Sequence, residues 1–385
     1  MAGLVRRAAK AAAAGLLHYS GARSALATVR RHRSGGRRIL ILSYHRVVDD
    51  YTGELQRSIP GLLISRETFR RHLEEAARAG YAFVSLEEAL DVMAGRKTAK
   101  RDLCVVTFDD GYRDVYRWAL PILEDLGIPA TIYLPALYVG TKRRFDHDRL
   151  FHLIRVLQDR KLEPLYESLP PWSAGLIAPV LQGSVPLSAA LDDFIAYHRG
   201  AMLRATIDGL ERQLAGEADV LPEQGDVMDW DEVRTMMGRG ISIGAHTLHH
   251  TVLTLEPLAQ VQQEIRESQA ILQRELGRPV VDFAYCNGWY SDVVIQVLRE
   301  CGFRSAVTTE DLPNVIGGDP FTLKRKVLWE NFSTGIDGAY SMCLTRCQLD
   351  DVFGTLGVNH PVAGRRSQMA SALFDLPTEL RPEGG

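Results

Sequence analysis

The sequence predicts an α/β protein, a distorted (β/α) barrel of about seven parallel strands that carries a helical insertion. Short runs of β-branched and apolar residues alternate with helical stretches, which is the pattern of repeated βα units. Several of these runs are continuously apolar, as expected for strands that are buried on both faces. A length of 385 residues, 46% of them hydrophobic, suits one large barrel with an insertion.

Seven segments are predicted as strands on these grounds. In chain order they are residues 39–43, 82–84, 103–108, 130–134, 241–245, 281–285 and 304–307. Helices are expected between them, and two have apolar positions spaced along one face, over residues 69–77 and 261–276. A glycine follows each helix, Gly80 and Gly277, which is a common signal for the end of a helix.

The βα rhythm breaks between residues 140 and 225. Residues 150–157 and 189–214 have helical patterns, and a proline-containing stretch, 164–186, separates them. We interpret this region as a helical insertion on a barrel domain that spans residues 39–340. Residues 341–385 form a C-terminal extension that is expected to be partly disordered, because its end is rich in proline and glycine.

The charge is distributed unevenly. Residues 1–38 contain nine of the 45 Lys and Arg residues and none of the 48 Asp and Glu residues, so the remaining body has a net charge of −12. An acidic body argues against a nucleic-acid partner. The five cysteines are odd in number and form no C-x-x-C pair, which indicates a reducing, cytoplasmic compartment.

The basic N-terminal arm, residues 1–38, has several interpretations. We favour a helix held peripherally at the inner face of the membrane by anionic lipid, where each Lys or Arg contributes ~1 kcal/mol. A flexible, solvated tail explains the composition about equally well. A secretory signal would have a short, weakly apolar centre at residues 11–17, and an Arg-rich start without acids also resembles an organelle transit peptide.

Polar residues follow two of the predicted strands directly. Asp109 and Asp110 follow strand 103–108, and His246 and His250 follow strand 241–245. Catalytic groups of parallel barrels lie at these carboxyl ends, and two adjacent carboxylates are costly there without a nearby cation. One carboxylate and two imidazoles form a common three-ligand set for a catalytic divalent metal ion.

Asp109 and Asp110 are expected to have different tasks. Consecutive side chains of an extended segment point in opposite directions, so both carboxylates cannot easily bind the same ion. One of the two should therefore be a metal ligand, while the other is free to act as a base.

The two motifs resemble those of a known family. Thr107-Phe108-Asp109-Asp110-Gly111 and His246-Thr247-Leu248-His249-His250 are similar to the first two motifs of the polysaccharide deacetylases, carbohydrate esterase family 4. The similarity extends to residues 42–47, to Trp230-Asp231 and to residues 283–288. It covers roughly residues 39–330, interrupted by the insertion.

The resemblance implies a role for each site residue. It implies Asp109 as the catalytic base, and Asp110, His246 and His250 as ligands of one divalent ion, usually zinc, with cobalt or nickel as alternatives. It also implies that the backbone N–H of Tyr285 stabilises the oxyanion of the tetrahedral intermediate.

The chain departs from the family pattern in two places. Cys286 stands where the third motif usually has a proline, and we interpret it as a packing residue. The histidine that serves many members as general acid has no clear counterpart, since Leu323-Lys324-Arg325 occupies its place. His45 and His360 are the stand-ins, and His45 is the better one because it follows a strand. His45, Trp230 and Arg325 are also expected to contact substrate.

The resemblance implies a metal-dependent hydrolase that removes N-acetyl groups from an amino-sugar-containing glycan or glycan precursor, as in exopolysaccharide biosynthesis. One alternative is hydrolysis of another acyl group or of an O-ester on a carbohydrate. Another is a degenerate carbohydrate-binding or scaffold protein without activity. The basic arm and the poor export signal favour a lipid-linked oligosaccharide as the substrate.

Overall fold

A curled sheet of parallel strands forms the centre of the computed structural model, which describes residues 2–33, 37–215 and 226–355. The strands are β1 (Ile39–Tyr44), β2 (Arg46–Val48), β3 (Leu63–Ser65), β4 (Ala82–Phe83), β5 (Leu103–Phe108), β6 (Ala130–Leu134), β7 (Ser242–Ala245), β8 (Asp282–Ala284), β9 (Ser305–Val307) and β10 (Lys326–Val327). In the central sheet the order is β10-β1-β5-β6-β7-β8-β9, and β4 pairs with the start of β5, whereas β2 and β3 form a separate two-stranded sheet. A bridge between Val307 and Leu323 links β9 to the segment before β10. The distorted (β/α) barrel is thus confirmed.

Helices surround the sheet and form the insertion. They are α1 (Ala2–Tyr19), α2 (Ala22–Arg33), α3 (Tyr51–Glu54), α4 (Arg66–Arg78), α5 (Leu86–Met93), α6 (Leu120–Leu126), α7 (Asp146–Arg160), α8 (Ser173–Leu181), α9 (Leu187–Tyr197), α10 (Gly200–Leu214), α11 (Trp230–Gly238), α12 (Leu258–Leu276), α13 (Asp292–Glu300), α14 (Met342–Leu349) and α15 (Val352–Thr355). Gly277 ends α12 in the left-handed conformation, with φ of 65°. The predicted stop of this helix is confirmed.

The two faces of the sheet have different apolar partners. Along β5, Leu103 and Val105 belong to a cluster with α5, whereas Val106 and Phe108 belong to the larger core beneath the outer helices. This alternation follows from the two-residue period of a strand. It also sets the direction of the side chain that comes next on the first face, at position 109.

The insertion has its own apolar core and differs from its predicted helices. Buried side chains of α7, α8, α9 and α10 form this core. The single helix predicted for residues 189–214 is two helices, because His198 and Arg199 have extended backbones. The stretch 164–186 contains α8, with Pro179 inside it. Residues 216–225, the end of the predicted insertion, lie outside the described part of the chain.

The described part of the N-terminal arm packs on the C-terminal helices. Ala14 of α1 is fully buried against α14 and α15, and Arg23 forms an ion pair with Asp350. A flexible tail would make no such contacts. Among the described residues, no helix is both long and apolar enough to cross a membrane. Residues 356–385, including the stand-in His360, lie outside the described residues.

Candidate active site

Asp109 directly follows the last residue of β5 and is paired with an arginine. Its side chain continues the series of Leu103, Val105 and Thr107 on one face. The fully buried Arg325 donates two hydrogen bonds to its carboxylate, at 2.7 Å to Oδ1 and 2.6 Å to Oδ2. Burial acts to raise the pKa of Asp109, but the charge and hydrogen bonds of Arg325 outweigh it and hold that pKa below its usual value. Asp109 is therefore an ionised carboxylate in a fixed orientation.

Asp110 turns away from Asp109 because its backbone leaves the strand. Its φ of 70° is left-handed, and Gly111 follows with φ of 72°. At Gly111 an added Cβ would lie 2.3 Å from Leu134, so only glycine fits without a shift. The two neighbouring carboxylates thus have separate surroundings, and the left-handed turn at Asp110, not the alternation of an extended strand, separates them.

Two imidazoles face the Asp110 carboxylate. Its Oδ1 atom lies 3.1 Å from Nε2 of His250 and 3.5 Å from Nε2 of His246. Nδ1 of His246 donates a hydrogen bond to the Ala284 carbonyl at 2.8 Å, which leaves Nε2 as the atom with a free lone pair. Burial lowers the pKa of His246 to about 4, so this ring is neutral near pH 7.

This donor set fits a divalent cation. Asp110 is only 1% exposed, and the neighbours that its Oδ1 atom has among the described residues are the two imidazole Nε2 atoms, with no backbone N–H or hydroxyl donor in hydrogen-bond geometry. A buried carboxylate that faces the lone pair of a neutral imidazole is costly unless a cation offsets its charge. Asp110, His246 and His250 therefore provide the carboxylate and two imidazoles that a catalytic zinc site uses.

Cys286 lies beside the same histidines. The potential donor atoms of Cys286, His246 and His250 all lie within 4.8 Å of one another. Its Sγ atom, however, is 3.9 Å from both ring nitrogens of His246, and so lies beside that ring. Burial raises the pKa of the Cys286 thiol well above its ordinary value, which favours the neutral form and a packing role.

Of the residues expected to contact substrate, one lines the cavity and two do not. His45 lines the cavity above the aspartates, and its Nε2 atom lies 3.9 Å from Oδ2 of Asp109. Arg325 contacts Asp109 from below and is not a lining residue of this cavity. Trp230 begins α11 with its indole against Gly140, and it is likewise absent from the cavity lining.

Tyr285 lines the cavity, but both of its polar groups are engaged elsewhere. Its backbone N–H donates to the Val307 carbonyl at 3.2 Å, within the sheet. Its hydroxyl donates to the Phe321 carbonyl at 3.0 Å. The expectation that the Tyr285 N–H stabilises an oxyanion therefore conflicts with the structure, because sheet pairing already uses that donor.

The cavity of about 170 Å³ lies between the strand ends and the insertion. On the barrel side it is lined by His45, Asp109, Asp110, His246, His249, His250, Asn287 and Thr309, and on the insertion side by Asp146, His147, Leu191, Ile195, His198, Leu203 and Arg204. The insertion residues and Asn287 were missed from the sequence. No motif marks the insertion residues, since only the packing of the insertion on the barrel brings them here, whereas Asn287 lies within the third motif but was given no role.

The sequence is similar to that of known deacetylases. The sequence profile of the family described as polysaccharide deacetylase matches residues 96–167 and 191–306. The poly-beta-1,6-N-acetyl-D-glucosamine N-deacetylase of Staphylococcus epidermidis is 26% identical over 136 residues, 34% of this chain and 44% of that protein. YxkH of Bacillus subtilis, named for the same family, is 28% identical over 89 residues, 23% of this chain and 32% of that protein. The chain thus spans less than half the length of either relative.

Solved structures share the fold. IcaB from Ammonifex degensii superposes with a TM-score of 0.52 at 20% identity, over 82% of this chain and 98% of that one. The de-N-acetylase from Aggregatibacter actinomycetemcomitans gives a TM-score of 0.51 at 19% identity, over 80% and 99%. With the matched profile and the two strand-end motifs, this chain belongs to the polysaccharide deacetylase family.

Proposed function

We propose that this chain is a metal-dependent hydrolase that removes N-acetyl groups from an amino-sugar-containing glycan. The observation that carries the proposal is the convergence of the His246 and His250 Nε2 atoms on the buried Oδ1 atom of Asp110, beside the separately paired Asp109. The name of the Staphylococcus epidermidis relative supports an N-acetylated glucosamine polymer as the class of substrate.

Asp110, His246 and His250 would hold one divalent ion, with zinc as the expected metal and cobalt or nickel as alternatives. When bound, the ion supplies Lewis acidity to the acetyl carbonyl and to water. The hydrogen bond from His246 to the Ala284 carbonyl fixes the tautomer and the ring orientation that this role requires.

Asp109 acts as the base. It takes a proton from the attacking water while the water oxygen bonds to the acetyl carbon. Arg325 keeps this carboxylate ionised and fixes its orientation through two hydrogen bonds. Breakage of the C–N bond then releases acetate and a free amino sugar, whose nitrogen gains a proton.

His45 is the proposed donor of that proton. It lines the cavity and lies 3.9 Å from Asp109, so it faces the reacting groups from the end of β1. Arg325, which occupies the place of the missing motif histidine, is already committed to Asp109. A His45→Gln variant should lose ~10²- to 10⁴-fold in kcat while it still binds metal. Unchanged turnover in this variant would remove His45 from the mechanism.

A lipid-linked oligosaccharide substrate and peripheral contact of residues 1–38 with anionic lipid remain part of the proposal. The nine basic residues of the arm support it, and so do the 73% exposed Leu16 and the 80% exposed Tyr19. The full chain should sediment with phosphatidylserine vesicles at low salt and stay in the supernatant at high salt, because the attraction is electrostatic. Equal retention on neutral vesicles would contradict the electrostatic contact.

The activity is tested by acetate and amine release from β-1,6-linked N-acetylglucosamine oligomers, chitooligosaccharides and lipid-linked sugars. Release should stop after treatment with a chelator and return with zinc, cobalt or nickel. Substrates with N-butyryl groups or O-acetyl esters in the same assay identify another acyl specificity. Glycan binding without bound metal or acetate release would instead indicate a non-catalytic carbohydrate-binding protein.

A further inference from the structure

The two metal-binding histidines lie on an irregular loop that local backbone preferences do not stabilise. Residues 246–250 form neither helix nor strand. Thr247 and His250 have left-handed backbones, with φ of 64° and 57°. Such conformations cost ~1–3 kcal/mol each for residues other than glycine, and they persist only where the surroundings fix them. A contact outside the loop must therefore supply this constraint.

Glu264 of α12 makes the side-chain contact with the most bonds to this loop. It is 1% exposed, and its Oε2 atom accepts hydrogen bonds from the backbone N–H groups of Leu248 and His249, both at 2.9 Å. Its Oε1 atom accepts a bond from Nδ1 of His249 at 2.8 Å. One buried carboxylate thus binds three donors of the loop, and hydrogen bonds to a charged acceptor are the strong kind.

A second residue of the same helix face holds the same loop. The fully buried Ser268, one helical turn after Glu264, donates its hydroxyl to the Thr247 carbonyl at 2.8 Å. Together the two side chains bind backbone groups of three consecutive residues between His246 and His250. A rigid helix therefore holds the loop between the two histidines, in addition to the backbone bonds that Ala136 and Leu137 donate to Thr247 and Leu248.

We propose that Glu264 is a positioning residue for the metal-binding histidines, and that it acts through the backbone of residues 248 and 249. It contacts neither the proposed ion nor the cavity, so its effect is on the geometry of His246 and His250. This inference rests on the proposed function only in assuming that these histidines bind an ion.

The carboxylate matters for this role because it accepts from the three loop donors and also from Nε2 of Gln260, at 3.3 Å. In a Glu264→Gln variant one oxygen would become an NH₂ group, which cannot accept a hydrogen bond from a backbone N–H. If the NH₂ group faces His249, that ring must change tautomer to accept it at Nδ1, and the two backbone bonds lose the charge of their acceptor. Residues that orient the ligands of a metal site typically contribute ~10- to 100-fold to metal affinity.

The test compares the affinity of full-length variants for zinc and cobalt, measured by competition with a chromophoric chelator. Glu264→Gln should weaken the Kd ~10- to 100-fold. The matched control, Glu267→Gln on the exposed face of the same helix, should retain the wild-type Kd. The turnover rate of Glu264→Gln relative to wild type should be higher at saturating metal than at limiting metal, because excess metal offsets the weaker binding.

Circular dichroism and thermal unfolding separate this effect from a folding defect. If Glu264→Gln does not fold, Ser268→Ala serves as the second variant, and its Kd should also rise. A folded Glu264→Gln protein with the wild-type Kd, or an unchanged Kd in the Ser268→Ala substitute, would overturn the positioning role alone. A wild-type protein that binds no ion would overturn both this inference and the proposed function.

Discussion

The two sides of the cavity differ in how their side chains are held. On the barrel side, Asp109, Asp110 and His246 are at most 3% exposed and lie against charged or polar partners at fixed distances. On the insertion side the lining includes Leu191 and Leu203, which belong to the separate core of α7–α10. We infer that the barrel side carries the chemistry, and that the insertion side shapes access to it.

The difference has a physical origin. Residues at the ends of paired strands inherit the rigidity of the sheet, so small distances between charges can be maintained. The insertion forms a layer of helices with its own core. A substitution in these helices can therefore alter the insertion side of the cavity without displacing the strand ends. Substitutions on the two sides should therefore affect different kinetic constants.

The largest effect is expected for Asp110→Ala on the barrel side. Loss of the carboxylate should abolish stoichiometric zinc binding and lower kcat/KM ~10³-fold or more, because the lost Lewis acidity contributes several kcal/mol. Metal content by mass spectrometry and acetate release check this result. Asp231→Ala is the control, since that side chain is 90% exposed. Full activity of Asp110→Ala without bound metal would contradict the assignment of the chemistry to the barrel side.

Arg325→Met should affect both stability and catalysis. It leaves Asp109 buried without its partner, which costs ~3–5 kcal/mol in the free energy of unfolding. A displaced base should also lower kcat by up to ~100-fold. Urea unfolding and steady-state kinetics measure the two effects. The control Arg239→Met breaks a half-exposed pair with Glu124 and should cost at most ~1 kcal/mol. An equal decrease in the free energy of unfolding and in kcat for both variants would contradict the importance of the buried pair.

A smaller effect is expected for Arg204→Ala on the insertion side. Arg204 lines the cavity and is 42% exposed, so it can contribute a hydrogen bond to substrate. Its loss should raise KM ~2- to 10-fold and leave kcat nearly unchanged, as for binding that is equal in the ground and transition states. Arg212→Ala, an exposed position on α10, is the control. A fall in kcat with unchanged KM would place chemistry on the insertion side.

The barrel side was largely predictable from the sequence. Continuous apolar runs predicted the principal strands, whereas the left-handed turn that separates Asp110 from Asp109 has no periodic signal in the sequence. The short strand β10 was missed because two residues give no periodic signal. The pairing of Arg325 with Asp109 was missed for another reason, because it depends on a contact between residues 216 positions apart.

The insertion side and the third motif were less predictable. Helical patterns indicated the insertion, but nothing local shows which of its faces meets the barrel. Tyr285 was assigned an N–H for catalysis because it stands in the motif, whereas sheet pairing with Val307 decides where that N–H points. Tertiary contacts, and not local sequence, determine both outcomes.

The most direct test of the account is Asp109→Asn, since it removes the base and keeps the side-chain shape. The variant should bind one equivalent of zinc with wild-type affinity, because Asp110, His246 and His250 are unchanged. Its rate of acetate release at saturating zinc should fall ~10²- to 10⁴-fold. A zinc-loaded Asp109→Asn protein with wild-type turnover would contradict the division of tasks between the two aspartates.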